Sequence, residues 1–188
     1  MDFKDRYHGD LAKSSEYAAR EAEAKALLVR NLGKLGIVVL DGDPSYVTAQ
    51  GKVEGHPEVR FDYSLWYPIR PVVDHRSVLL GYVEVTGDRV EDEYLYILSE
   101  KIAKARKVDV PVWFLYYKER KRKRLVIRAQ NVVRYGQLVR WVEGERPYYR
   151  VSISRAVVLK TWFNWWRSIV PLINEGRWFE IKQSLTRW

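Results

Sequence analysis

Cysteine is absent from the 188 residues, which removes disulfides, thiolate-held zinc and thiol catalysis together. Methionine occurs once, and Asn and Gln four times each, so thermolabile side chains are scarce and the composition fits a heat-adapted source. No apolar run approaches the roughly 20 residues of a membrane span. The opening MDFKDRYHGD has no apolar stretch of the kind that marks a chain for secretion. The chain is therefore expected to work in the cytoplasm, away from membranes. No phosphate-cradling Gly-rich loop is present, which argues against nucleotide-driven chemistry. His8, His56 and His75 have neither zinc-ligand nor catalytic-triad spacing.

Core-forming material is plentiful. Hydrophobic residues make up 47% of the chain and charged residues 30%, a balance that excludes disorder. The length suits one domain, or one domain with an elaborate extension. Charge divides unevenly: Met1–Tyr117 holds 16 Lys and Arg against 19 Asp and Glu, a net of −3, whereas Lys118–Trp188 holds 17 against 5, a net of +12. Six of the eight Trp also fall after Tyr117. Cations displace counterions from a polyanion and flat rings stack on bases, so this half points to nucleic acid, with DNA the expected partner.

Along the chain, residues 11–33 predict a helix rich in Ala, Glu, Lys and Leu, with Ala24, Leu28, Leu32 and Leu35 as its apolar stripe. Glu21 lies two turns before Leu28, on the inward side. Strands follow at about 36–40, 46–53, 58–67 and 77–86, separated by DGDPS, EGHP and Pro68–Pro71. A second helix is predicted over 90–107, then a buried strand in VWFLYY after Pro111. KERKRKR, residues 118–124, reads as a solvated turn before the partner strand LVIRA. Residues 137–153 predict a hairpin tipped by EGERP, with Arg140 and Arg150 opposite Val139, Trp141, Val151 and Ile153. Residues 156–170 predict a last helix, with Trp165 off its apolar face. The expected division is a core over 1–129 and a basic, Trp-rich extension over 130–188 packed upon it.

Two strands carry acids among apolar neighbours. Alternation puts Arg60, Asp62 and Ser64 on one face of EVRFDYSLWY, and Leu80, Tyr82, Glu84 and Thr86 on one face of LLGYVEVTG. If these strands pair, Asp62 and Glu84 converge on one side of a sheet. Two carboxylates with the Val85 main-chain carbonyl beside them are hard oxygen donors suited to Mg²⁺ or Mn²⁺. Such an ion activates water and stabilises charge on a scissile phosphate.

Helix 11–33, the strands after it, helix 90–107 and strand 111–117 together resemble the αβββαβ core of the PD-(D/E)XK nuclease superfamily, which includes archaeal Holliday-junction resolvases and many restriction enzymes. The resemblance implies an α/β, restriction-endonuclease-like fold with a mixed sheet over roughly residues 11–129. It further implies that Phe61-Asp62 stands for the first motif element and Glu84-Val85-Thr86 for the second, with Glu21 as the helix-borne acid that some members add. On this basis the catalytic set is Asp62, Glu84, Thr86 and Glu21, with Asp62, Glu84 and Val85 holding the metal. Thr86 occupies the position of the family's catalytic lysine. Lys101 would stand about eleven residues into a helix beginning near 90, about 16 Å along its axis, too far to replace it. Arg89 and Lys118 are the other cations to consider.

The expected activity is thus Mg²⁺-dependent cleavage of DNA phosphodiesters. Lys118, Arg120, Lys121, Arg122, Lys123, Arg124, Arg140, Arg150 and Trp165 are the expected backbone-holding residues. Two other readings fit the same residues. One is a nucleic-acid-binding protein on this scaffold without turnover, to which Thr86 lends weight. The other is an interaction protein, such as a homodimer, whose Trp-rich tail forms the interface.

Overall fold

The structure, a computed structural model, describes residues 15–41, 61–68, 77–88, 90–118, 120–140 and 146–158. Helix α1, Ser15–Leu32, buries Arg20, Ala24, Leu28 and Leu32. That four-residue spacing stacks them on one stripe. A short 3₁₀ turn, Gly33–Leu35, ends it, and Gly36 closes the turn at φ 74°, a left-handed conformation that glycine adopts without a Cβ penalty.

The strands are β1 (Val38–Asp41), β2 (Tyr63–Pro68), β3 (Ser77–Asp88), β4 (Tyr94–Leu98), β5 (Val112–Lys118), β6 (Lys123–Arg128), β7 (Gln137–Val139), β8 (Tyr148–Ser152) and β9 (Val157–Val158). Two short helices intervene, α2 (Ser99–Ala105) and α3 (Ala129–Tyr135). The main sheet has the order β1-β2-β3-β5-β6-β9, antiparallel throughout except for the parallel pair β3 and β5. A parallel pair needs a crossover, and β4 with α2 supplies it. β4 itself joins a second, antiparallel sheet ordered β4-β8-β7. This is the mixed α/β architecture expected from the element order.

Both faces of the main sheet are covered. On one, α1 packs Ala24, Leu28 and Leu32 against Leu65, Val83, Val85 and Leu115. On the other, Phe114, Tyr116, Leu125 and Ile127 meet Leu95 and Ile97 of β4, Ile102 of α2 and Val132 of α3. Every residue of β5 is buried, as a strand covered on both faces requires. Gly81 lets β3 approach β5: at φ 154°, an added Cβ would sit 2.3 Å from the Pro111 carbonyl oxygen and 2.6 Å from the Trp113 ring.

Three expectations need correction. Residues 94–98 are a strand, not the start of a helix, because Leu95 and Ile97 bury in the main core while Tyr96 packs with Tyr148 on the opposite face. A short run buried on both faces has no period to read, and its Tyr and Ile favour extended backbone. Val157–Val158 pair with Val126 and Leu125 as β9, so no helix begins at 156; residues 159–170 lie outside the described residues. The hairpin at 137–152 forms, but its register sets Val139 against Tyr148. Val139 therefore sides with Tyr148 and Tyr96 rather than with Val151 and Ile153. The strand expected at 46–53 lies outside the described residues.

Candidate active site

The register of β2 on β3, with Tyr63 opposite Val83, carries Asp62 to the level of Glu84 just as the β2 ladder ends. The Asp62 side chain continues the hydrogen bonding in place of the backbone: its Oδ2 accepts from the Val85 N–H at 2.6 Å. Glu84 projects from the opposite side of β3 to Val85 and is buried. The two acids predicted to converge are thus brought together at one end of the β2–β3 pair.

Lys101 and Lys104, which the sequence reading set aside or did not consider, complete this site. Lys101 Nζ lies 2.9 Å from Glu84 Oε1 and donates to the Val85 carbonyl oxygen at 3.1 Å. Lys104 Nζ donates to Glu84 Oε2 at 2.6 Å. The distance estimate for Lys101 fails because the helix begins at Ser99, not near 90, making Lys101 its third residue. The i, i+3 spacing of the two lysines sets both on one helix face, and that was the signal available in the sequence. Lys104 also lies 4.5 Å from the centroid of Phe61, which stacks on Tyr82 at 4.5 Å. The aromatic pair walls the site and a cation over its face is favourable. The lysine side chains keep 21% and 28% exposure, so solvent reaches the site past them.

Thr86 is buried on β3 opposite Tyr116, on the same strand face as Glu84. Glu21 lies within α1, and its side chain is outside the described residues; the charged residue on the described buried stripe is Arg20. Among the described residues no three acidic, His or Cys side chains gather as a metal cage. The donors that suit a divalent ion are Asp62, Glu84 and the Val85 carbonyl, hard oxygens all.

One further step along β3, Asp88 enters a network around a buried lysine. Lys118 is 0% and Asp88 1% exposed, and Lys118 Nζ lies 3.1 Å from Asp88 Oδ1, 2.9 Å from Asp92 Oδ1 and 3.1 Å from the Val90 carbonyl oxygen. The Tyr116 hydroxyl donates to Asp88 and accepts from the Tyr96 N–H at 2.9 Å. Burial pushes the Asp88 carboxyl above the usual range, against the opposing pull of Tyr116 and Lys118. At Asp92 burial also raises the pKa, but hydrogen bonds from Tyr96 and Lys118 outweigh it and hold the carboxyl below its usual value. Lys118 is therefore corrected: it is no surface contact, because β5 runs through it and points its side chain into the core.

The remaining basic turn is largely matched by acids. Arg120 faces Glu91 at 3.7 Å, Lys121 pairs with Glu93 and Arg124 with Glu23. Arg122 is exposed at φ 51°, in the tight turn. Arg140 is exposed just beyond β7, Arg150 lies on β8, and Trp165 is outside the described residues. A separate open cleft of about 370 Å³, with Ile102, Ala105, Val112 and Ala129 in its lining, includes neither Asp62 nor Glu84. Among the described residues, no helix is long and apolar enough to cross a membrane.

No protein-family model and no curated protein matches the sequence. Among solved structures, the fold is similar to D212, a nuclease from a fusselovirus, with a TM-score of 0.54 at 18% identity, over 80% of this chain and 91% of that one. The likeness is one of fold, a mixed α/β core.

Proposed function

We propose that the chain is a divalent-metal-dependent DNA phosphodiesterase of the PD-(D/E)XK kind, working at Asp62 and Glu84. The observation that carries this reading is the gathering, where β2 leaves β3, of Asp62, buried Glu84 and the ammonium groups of Lys101 and Lys104. Fold similarity to a nuclease adds support. Asp62, Glu84 and the Val85 carbonyl would hold Mg²⁺ or Mn²⁺, which when bound supplies a water of lowered pKa and neutralises charge on the phosphate. Thr86 has no charge to offer, and the two α2 lysines supply in its place the cations that meet the developing negative charge. Lys101 spans Glu84 Oε1 and the Val85 carbonyl, two of the oxygens the metal would use, so a bound ion would compete with it for them.

The rival is a nucleic-acid binder without turnover. It draws on one observation: both Glu84 oxygens are already met by ammonium groups. Cutting of supercoiled and branched DNA in Mn²⁺ decides between the two. The native chain is expected to cut, and Asp62→Asn and Glu84→Gln to lower the rate by at least about 100-fold, the scale of losing a principal electrostatic group. Metal-independent binding with no cutting in any divalent ion would sink the enzyme reading.

A further inference from the structure

The residues after α3 begins differ from the rest of the basic half. Segments 129–140 and 146–158 contain five arginines, Arg134, Arg140, Arg146, Arg150 and Arg155, with no lysine and no acid. Three of these have their guanidinium carbon over a tyrosine ring. Arg150 lies 4.9 Å from the ring centroid of Tyr94, and Arg155 and Arg134 lie 4.5 Å and 5.3 Å from that of Tyr135. Both tyrosines remain open, at 39% and 42% exposure. Arg150 also donates to Gln137 Oε1 at 2.9 Å, but among the described residues none of the three pairs with a carboxylate. The turn at 120–124 is the contrast, since Arg120, Lys121 and Arg124 there each meet an acid.

The strands place the two stacks at one end of the small sheet. β4 and β7 both run antiparallel to β8, so Tyr94 at the start of β4, Tyr135 just before β7 and Arg155 just after β8 share that end. β4 and β7 flank β8, and two strand spacings amount to about 10 Å. The support is rigid, because the Tyr96 N–H donates to the buried Tyr116 hydroxyl and the Ile153 N–H to the Glu93 carbonyl.

We infer that this arginine–tyrosine surface binds unpaired nucleic-acid strand. A guanidinium held over a ring keeps its charge for phosphate and is itself a plane on which a base can stack, and an ammonium offers no such plane. Duplex ends or interiors present few free base faces, whereas a single strand presents one per nucleotide. The inference rests on the reading of the chain as one that works on nucleic acid, and it adds that the substrate carries an unpaired segment.

The test is fluorescence anisotropy of the full chain, in EDTA to prevent cutting, with labelled oligo-dT and with a duplex of equal length. Arg150→Lys combined with Arg155→Lys keeps the charge and removes the planes. It should weaken oligo-dT binding by about 5- to 150-fold, the worth of stacking one base, while duplex affinity holds. Tyr94→Leu with Tyr135→Leu should act in the same direction, and melting curves check that each variant folds. Equal losses on both ligands, no loss on oligo-dT, no binding of oligo-dT by the native chain, or a change of oligomeric state in the variants would each overturn the inference. The metal-dependent cutting by Asp62 and Glu84 is scored separately, on the supercoiled and branched DNA named above, so either idea can fail alone.

Discussion

Glu84 and Asp88 lie on the same face of one strand, four residues apart, and each is matched by lysine, yet the two clusters are built for different ends. Around Glu84 the ammonium groups arrive on a short helix with their stems partly in water. Around Asp88 the ammonium comes from a neighbouring strand, is fully enclosed, and has Asp92, the Val90 carbonyl and a tyrosine hydroxyl arranged about it. An enclosed charge cannot change partners without exposing an uncompensated ion, so the Asp88 cluster is a fastener between β3, β5 and the segment leading into β4. A partly solvated one can exchange partners at small cost, which is what the metal site proposed at Glu84 would require.

The largest effect expected from this contrast is on stability. Lys118→Met leaves Asp88 buried without its cation and should cost about 3–5 kcal/mol, whereas Lys104→Met, which removes a partly solvated lysine and leaves Glu84 paired with Lys101, should cost about 1 kcal/mol or less. Urea denaturation of the two variants measures both, and comparable losses would erase the distinction. A smaller effect is expected on metal affinity. Lys101→Met removes the ammonium that shares Glu84 Oε1 and the Val85 carbonyl, so Mn²⁺ should bind roughly tenfold more tightly, about 1.4 kcal/mol. Calorimetry and the Mn²⁺-induced rise in Tm read this without any turnover. An unchanged or weaker affinity would mean that Lys101 does not compete for those oxygens.

The smallest effect is on the acid side of the stability profile. Asp92, held below its ordinary value of 3.8, contributes stability that is present above that pH and is lost as pH falls through the lower folded value. Asp88 works in the opposite sense: with its folded pKa raised, taking up a proton favours the folded state as pH falls through that value. Stability should therefore hold on mild acidification before it drops. Asp88→Asn should remove the hold and Asp92→Asn should soften the drop, as thermal melts across acid pH would record. Identical acid profiles in both variants would contradict these opposite shifts.

Much of the site was legible because a strand has a period of two. Alternation in EVRFDYSLWY and LLGYVEVTG was enough to bring Asp62 and Glu84 to one end of a strand pair, and the four-residue spacing of Ala24, Leu28 and Leu32 was enough to find the face of α1 that covers the sheet. Lys101 and Lys104 were hidden by a boundary error. Leu95 and Ile97 face one core and Tyr96 another, so the run carries no amphipathic signal to separate strand from helix. Moving the helix start to Ser99 brings Lys101 from remote to adjacent.

The sequence by itself determined the mixed α/β order, the strand alternation that aligns the two carboxylates, and the uneven spread of charge, because these depend on local period and composition. Only tertiary structure decided what each cation does. Lys118 stands in a run of cations that reads as surface, and the depth of β5 turns it into a buried counter-ion. Arg120, Lys121 and Arg124 are matched by Glu91, Glu93 and Glu23, residues distant in the chain. Arg134, Arg150 and Arg155 meet tyrosines instead. A charge acts through the distance and solvation of its neighbours, and those are set by which strands lie side by side.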